Sequence, residues 1–234
     1  VLDQTPFYAE SGGQVGDTGT LNNQIQVTDT QKLDDVFLHH ATIEQGKISI
    51  GDTVTACVDN ARRLSIMRNH TATHLLQAAL RKILGEHVQQ QGSAVDDQRL
   101  RFDFTQPVGL SAEQKAAVED EVNRMIQANI RVEKKAMSIE EARRTGALAF
   151  FAEKYGETVR VIHVPDFSTE LCGGTHLDNT GEIKLFKIVS ESAIAQGIRR
   201  IEALTGSNAE AFLTLKKQRE SEEVALRQKK EQEK

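Results

Sequence analysis

The chain has 234 residues, 38% apolar and 27% charged with both signs mixed, the balance of a globular chain able to bury a core. No apolar run approaches the length of a membrane span, and no signal-peptide pattern opens the sequence. A net charge of -5 argues against a general nucleic-acid coating role and leaves room only for a local basic patch. Basic pairs occur at Arg62-Arg63, Lys134-Lys135, Arg143-Arg144 and Arg199-Arg200, each expected to be solvated surface. With two cysteines, Cys57 in a strand-like stretch and Cys172 far away, a disulfide is not expected. That points to a reducing, cytoplasmic setting, with Cys57 a small buried apolar residue. The first residue is Val, so the sequence reads as part of a longer protein.

In chain order, residues 1–60 read as short strands. Residues 5–19, TPFYAESGGQVGDTG, are rich in glycine and turn formers. Alternation predicts strands over 25–28, 36–40 and 53–58, with Gly46 and Gly51 as breaks. Short, evenly spaced strands suggest a small barrel or sandwich. The glycines at 12, 13, 16 and 19 read on composition as tight turns, since no Gly-Lys-Ser/Thr follows to make a P-loop. Leu64, Met67, Leu75, Ala78, Ala79 and Ile83 predict one long helix over 61–85, closed by Gly85.

Strand-like runs at 87–95 and 99–104 flank Asp96-Asp97. A second helix over 111–129 opens on a Ser111/Gln114 capping box. Then come a strand at 131–136, a short helix from Ser138 towards Gly146 and a strand at 159–164 stopped by Pro165. Strands at 182–189 and 195–204 close the fold. From Gly206 a helix of alternating charge runs to the end, like the start of a coiled coil. The expected class is α+β. Residues 1–60 form a small β-barrel subdomain. Residues 61–206 form an α/β sandwich, an antiparallel sheet packed with two long helices. Residues 207–234 form the charged helix.

The chemistry concentrates in two segments. NHTATHLLQ (residues 69–77) puts His70 and His74 four apart, on one face of a helix. Alone this is weak evidence. LCGGTH (residues 171–176) adds Cys172 and His176, with two glycines between them that let the backbone bend. Three imidazoles and a thiolate make a zinc set. Four protein ligands suit a structural ion, whereas a catalytic one keeps a position open, and the sequence does not choose. Thr73 stands on the same helical face, as a hydroxyl beside the ion or as a small residue tolerated on a crowded face. His39, His40, His87 and His163 read as structural.

These residues resemble a known family, the editing domain of alanyl-tRNA synthetase and the free-standing AlaX-type proteins that share it. The resemblance is carried by residues 5–19 and 69–76, by HVQQQGSAV (87–95) and RFDF (101–104), and by FSTELCGGTH (167–176) and RRIEALTG (199–206). They follow the family's order and cover the chain to about residue 206. The resemblance implies that His70, His74, Cys172 and His176 bind zinc and that Thr73 reads the serine hydroxyl. It implies that Gln90 and Ser93 line the pocket, and that residues 12–19 form a loop flanking it. Cys172 also stands among the residues on which catalysis would depend.

The implied reaction is zinc-dependent hydrolysis of Ser-tRNA(Ala) and Gly-tRNA(Ala) at the tRNA acceptor end. The remainder of a ligase that charges alanine with ATP would act in cis, and nothing of that aminoacylation domain is expected here. No carboxylate–histidine dyad is evident, and no general base is named. Editing has a physical motive. An alanine pocket rejects glycine by one methyl, worth roughly 1–3 kcal/mol, and excludes an added hydroxyl poorly. Three other readings stay open: a zinc-stabilised RNA-binding module without catalysis, a threonyl-tRNA synthetase editing domain, and a free-standing AlaX-type hydrolase. The glycine-rich opening and the charged tail argue against the second.

Overall fold

The computed structural model describes residues 1–148 and 157–232. The strands are β1 (Gly19–Leu21), β2 (Ile25–Leu33), β3 (Val36–Ile43), β4 (Ala56–Val58), β5 (Gln90–Val95), β6 (Leu100–Thr105), β7 (Glu133–Ser138), β8 (Thr158–Val164), β9 (Ser168–Leu171), β10 (Phe186–Ala195) and β11 (Ile198–Thr205). The helices are α1 (Asn60–Leu84), α2 (Ala112–Gln127), α3 (Ile139–Arg144) and α4 (Gly206–Gln232), with a one-turn 3-10 helix at Thr180–Ile183. The described strands form three sheets, in the orders β3-β2-β1-β4, β10-β11-β6-β5 and β7-β8-β9, all with antiparallel neighbours.

The N-terminal sheet is open, not the barrel the sequence suggested. Closure needs its two outer strands to pair along a staggered register. Here β4 has only three residues, and β3 is half-buried to exposed along its whole length. The sheet instead covers a small core of Phe7, Leu21, Ile25 and Val27. Cys57 is exposed, contrary to expectation. On β4 it alternates with half-buried Ala56 and Val58 and so points outward.

The main core lies between α1, α2 and the second sheet. Alternation along β6 sets Leu100, Phe102 and Phe104 on the helix-facing side, with the two rings 6.0 Å apart. The other side carries Asp103, which accepts from Arg200 Nε and Nη2 at 2.7 and 2.8 Å. Arg200 is therefore tied down rather than free to meet a phosphate. Arg199 pairs with Glu191 and Arg63 with Asp17. Helix α2 opens on the expected capping box, with Ser111 and Gln114 bonding reciprocally. A third cluster, Ala142, Val159, Val161 and Leu171, sits beneath α3. Beyond its first turns α4 is exposed, Leu215, Val224 and Leu226 included. No helix among the described residues is long and apolar enough to cross a membrane.

Candidate metal centre

Helix α1 runs through the middle of the molecule. Asp59 caps it by accepting from Arg62 N at 3.0 Å, and Gly85 ends it at φ 119°. Nine consecutive residues, 69 to 77, are buried, so this stretch faces protein all round. Six of them are polar and therefore need partners. Asn69 finds them in Asp96 O at 2.8 Å and Thr205 Oγ1 at 2.7 Å.

The four sequence-predicted ligands converge. The donor atoms of His70, His74, Cys172 and His176 all lie within 4.8 Å of one another. Cys172 Sγ is 3.3 Å from both His70 Nε2 and His176 Nε2. Zinc bond lengths to sulfur and nitrogen in a tetrahedron imply ligand separations of about 3.3–3.8 Å, which the two Cys172–histidine distances match. The turn brings the two halves together because Gly174 carries no side chain. A Cβ there would lie 2.1 Å from His70 Cε1.

Two imidazoles are hydrogen-bonded from outside at Nδ1 and the third meets a carboxylate there, which leaves Nε2 for an ion. His70 Nδ1 meets Gln14 Oε1 at 2.6 Å, His176 Nδ1 meets Thr71 Oγ1 at 3.2 Å, and His74 Nδ1 lies 2.7 Å from Glu170 Oε2. Gln14 is fully buried and also bonds Thr175, donating to Oγ1 and accepting from N, both at 2.9 Å. It reaches the site because Gly13 and Val15 add a parallel bridge beside the end of β5, with Val95 N donating to Gly13 O at 2.7 Å. The glycine-rich segment is thus part of the site. A Cβ at Gly13 would strike Ser93 O at 2.4 Å, so only glycine allows this approach.

Burial opposes ionisation of Cys172, yet the neighbouring His70 and His176 hold its thiol well below the usual range. Burial and His70 push His176 down. At His74 burial is outweighed by Glu170 and Cys172, which raise it to about 10. The thiolate is the form in which cysteine binds a divalent cation, whereas His74, held protonated beside Glu170 and Cys172, has to release a proton when one binds.

Thr73 precedes His74 on α1, and its Oγ1 donates to Asn69 O at 2.8 Å. The proton is committed, and the oxygen can only accept. Gln90 and Ser93 are neighbours on β5, with Gln90 Nε2 3.4 Å from Ser93 Oγ. Ser93 Oγ in turn faces Gly12 O at 3.5 Å. Ser93 therefore meets the loop, and Gln90 meets Ser93. The sequence reading missed Gln14, Thr71 and Glu170. It also found no carboxylate–histidine pair where Glu170 and His74 form one. Alternation on β9 was the available signal, since Glu170 stands two residues before Cys172. His39 bonds Thr5 at 2.7 Å and His87 bonds Gln106 at 2.6 Å.

Residues 159–202 match the family described as "Threonyl and Alanyl tRNA synthetase second additional domain". Residues 1–62 match the family "tRNA synthetases class II (A)". The opening segment is thus related to class II synthetases as well, where the sequence reading linked it to the editing family alone. The alanine–tRNA ligase of Thiobacillus denitrificans is 53% identical over 222 residues, covering 93% of this chain and 25% of that protein. The alanine–tRNA ligase of Haemophilus influenzae strain PittGG is 54% identical over 212 residues, covering 89% and 24%. The chain spans about a quarter of the length of these relatives. Sequence shared at this level along nearly the whole chain, with the site segments inside it, places the chain in the alanyl-tRNA synthetase family, in its editing region.

Proposed function

We propose that this chain hydrolyses the ester of serine or glycine wrongly attached to tRNA(Ala), acting on the acceptor end in a cytoplasmic, larger synthetase. The observation that supports it most is the convergence of His70, His74, Cys172 and His176, with Thr73 next to His74 in the chain. Those four residues would hold zinc, which when bound supplies a Lewis acid at the aminoacyl group. Gln14, Thr71 and Glu170 fix the three imidazoles, so the site is preorganised before substrate arrives. Thr73 Oγ1 accepts from the serine hydroxyl. Gln90 and Ser93, braced by the glycine loop, line the approach of the aminoacyl end. Aminoacyl esters are reactive, so positioning contributes much of the effect.

The test is deacylation of Ser-tRNA(Ala) and Ala-tRNA(Ala) by this chain, before and after metal removal, with metal content measured alongside. Serine release that depends on bound zinc, with alanine spared, is expected. Thr73→Val should slow serine release by roughly 5–150-fold, the equivalent of about 1–3 kcal/mol for one lost buried hydrogen bond. Unchanged discrimination by that variant would remove the role. One observation favours a second reading, a zinc-stabilised RNA-binding module: four donors already complete a tetrahedron. It predicts tRNA binding and no release of serine with zinc bound.

A further inference from the structure

We infer that Gln77 is a further specificity-determining residue, reading the aminoacyl group together with Thr73. This deepens the editing proposal and rests on it. Gln77 is 1% exposed, and both its Nε2 and its Oε1 lack a hydrogen-bond partner among the described residues. The other buried polar side chains between residues 69 and 77 all have a close polar neighbour. A buried carboxamide with no partner among the described residues is costly, so its retention calls for a group that completes its hydrogen bonds.

Position supplies one. At about 100° per residue, Gln77 falls about 20° from His70 around α1 and about 60° from His74. Long helical side chains lean over the preceding turn, which here carries Thr73 and His74. The carboxamide is thus directed along the ligand-bearing face, one turn beyond the hydroxyl. Its chemistry is complementary to what Thr73 lacks. Thr73 Oγ1 has given its proton to Asn69 and can only accept. A serine hydroxyl that donates to Thr73 still has lone pairs, which Gln77 Nε2 can satisfy. Gln77 Oε1 then accepts from the α-ammonium, which serine and glycine share. Alanine shares the ammonium but offers the amide donor no acceptor.

Gln77→Leu and Gln77→Glu, made in this chain, separate the possibilities. Three quantities are measured: zinc content, thermal midpoint, and single-turnover deacylation of Ser-tRNA(Ala) and Gly-tRNA(Ala). The leucine variant is expected to keep its zinc and to melt no lower than the parent. Its release of both amino acids should slow at least tenfold. The glutamate variant, which keeps acceptors and loses the donor, is expected to lose more on serine than on glycine. If the leucine variant does not fold, Gln77→Met, unbranched and close in volume, takes its place. A leucine or methionine variant that melts lower and deacylates at the parent's rate would give Gln77 a structural role and overturn the inference. A parent chain without deacylase activity would instead overturn the editing proposal itself.

Discussion

Cys172→Ala is expected to strip this chain of zinc and, with it, of serine release. Cys172 is the one anionic donor in the set; the other three ligands are neutral imidazoles once a cation is bound. Its thiolate sits 3.3 Å from two of them. Structural zinc in zinc-finger peptides contributes roughly 10–16 kcal/mol of apparent binding free energy at neutral pH. Alanine removes that charge and opens the fourth position, while Gln14, Thr71 and Glu170 still hold the rings. The expected outcome is a folded chain whose zinc is lost on dialysis against a weak chelator, with serine release falling at least 100-fold. Metal content by elemental analysis and single-turnover deacylation, run on the same samples, decide the matter. A variant that keeps stoichiometric metal and the parent's rate would show that the cluster is not the reactive centre.

The four residues of the cluster were legible in the sequence because each pair is local. His70 and His74 need only a helix, and Cys172 and His176 only a turn with two glycines between them. That the pairs meet is a property of topology, suggested by the mixture of nitrogen and sulfur donors. The outer partners were not legible. Gln14 reaches His70 across 56 residues and Thr71 reaches His176 across 105, and no spacing rule spans such distances. Two strands the sequence did not suggest are too short to show alternation. β1 has three residues and β9 four. The stretch from Glu182 read as strand, but it begins inside a 3-10 turn in which Glu182 Oε1 accepts from Asn179 N at 2.8 Å. The barrel failed for a similar reason: evenly spaced strands announce a curled sheet but do not fix whether its edges meet. The basic pairs read as solvent because their acidic partners are remote in sequence, Asp103 lying 97 residues from Arg200.

The same remoteness makes Asp17 the other position where a single change should do much. Its side chain is 1% exposed. It accepts from Tyr8 N at 2.6 Å and from Arg63 Nε at 3.1 Å. Arg63 in turn donates to Pro6 O at 2.6 Å, so one ion pair pins the segment from residue 6 to residue 17 onto α1. Removing one partner of a buried pair costs about 3–5 kcal/mol, because the other charge is left behind. Arg63 keeps 24% of its side chain in solvent, which places Asp17→Ala at the lower end, about 3 kcal/mol. Asp17→Asn keeps the size and one acceptor and is expected to lose less.

The functional consequence follows from what the segment carries. Once released, it withdraws Gln14 from His70 Nδ1, and loss of such an outer partner typically weakens metal affinity 10–100-fold. Urea unfolding and chelator competition, applied to both Asp17 variants, test the two effects separately. If Asp17→Ala unfolds at the parent's urea concentration, the segment is held by its backbone bonds to β2 and β5 instead. If stability falls while zinc affinity holds, Gln14 stays in place without the ion pair, and the link between the N-terminal sheet and the metal centre is broken as an explanation.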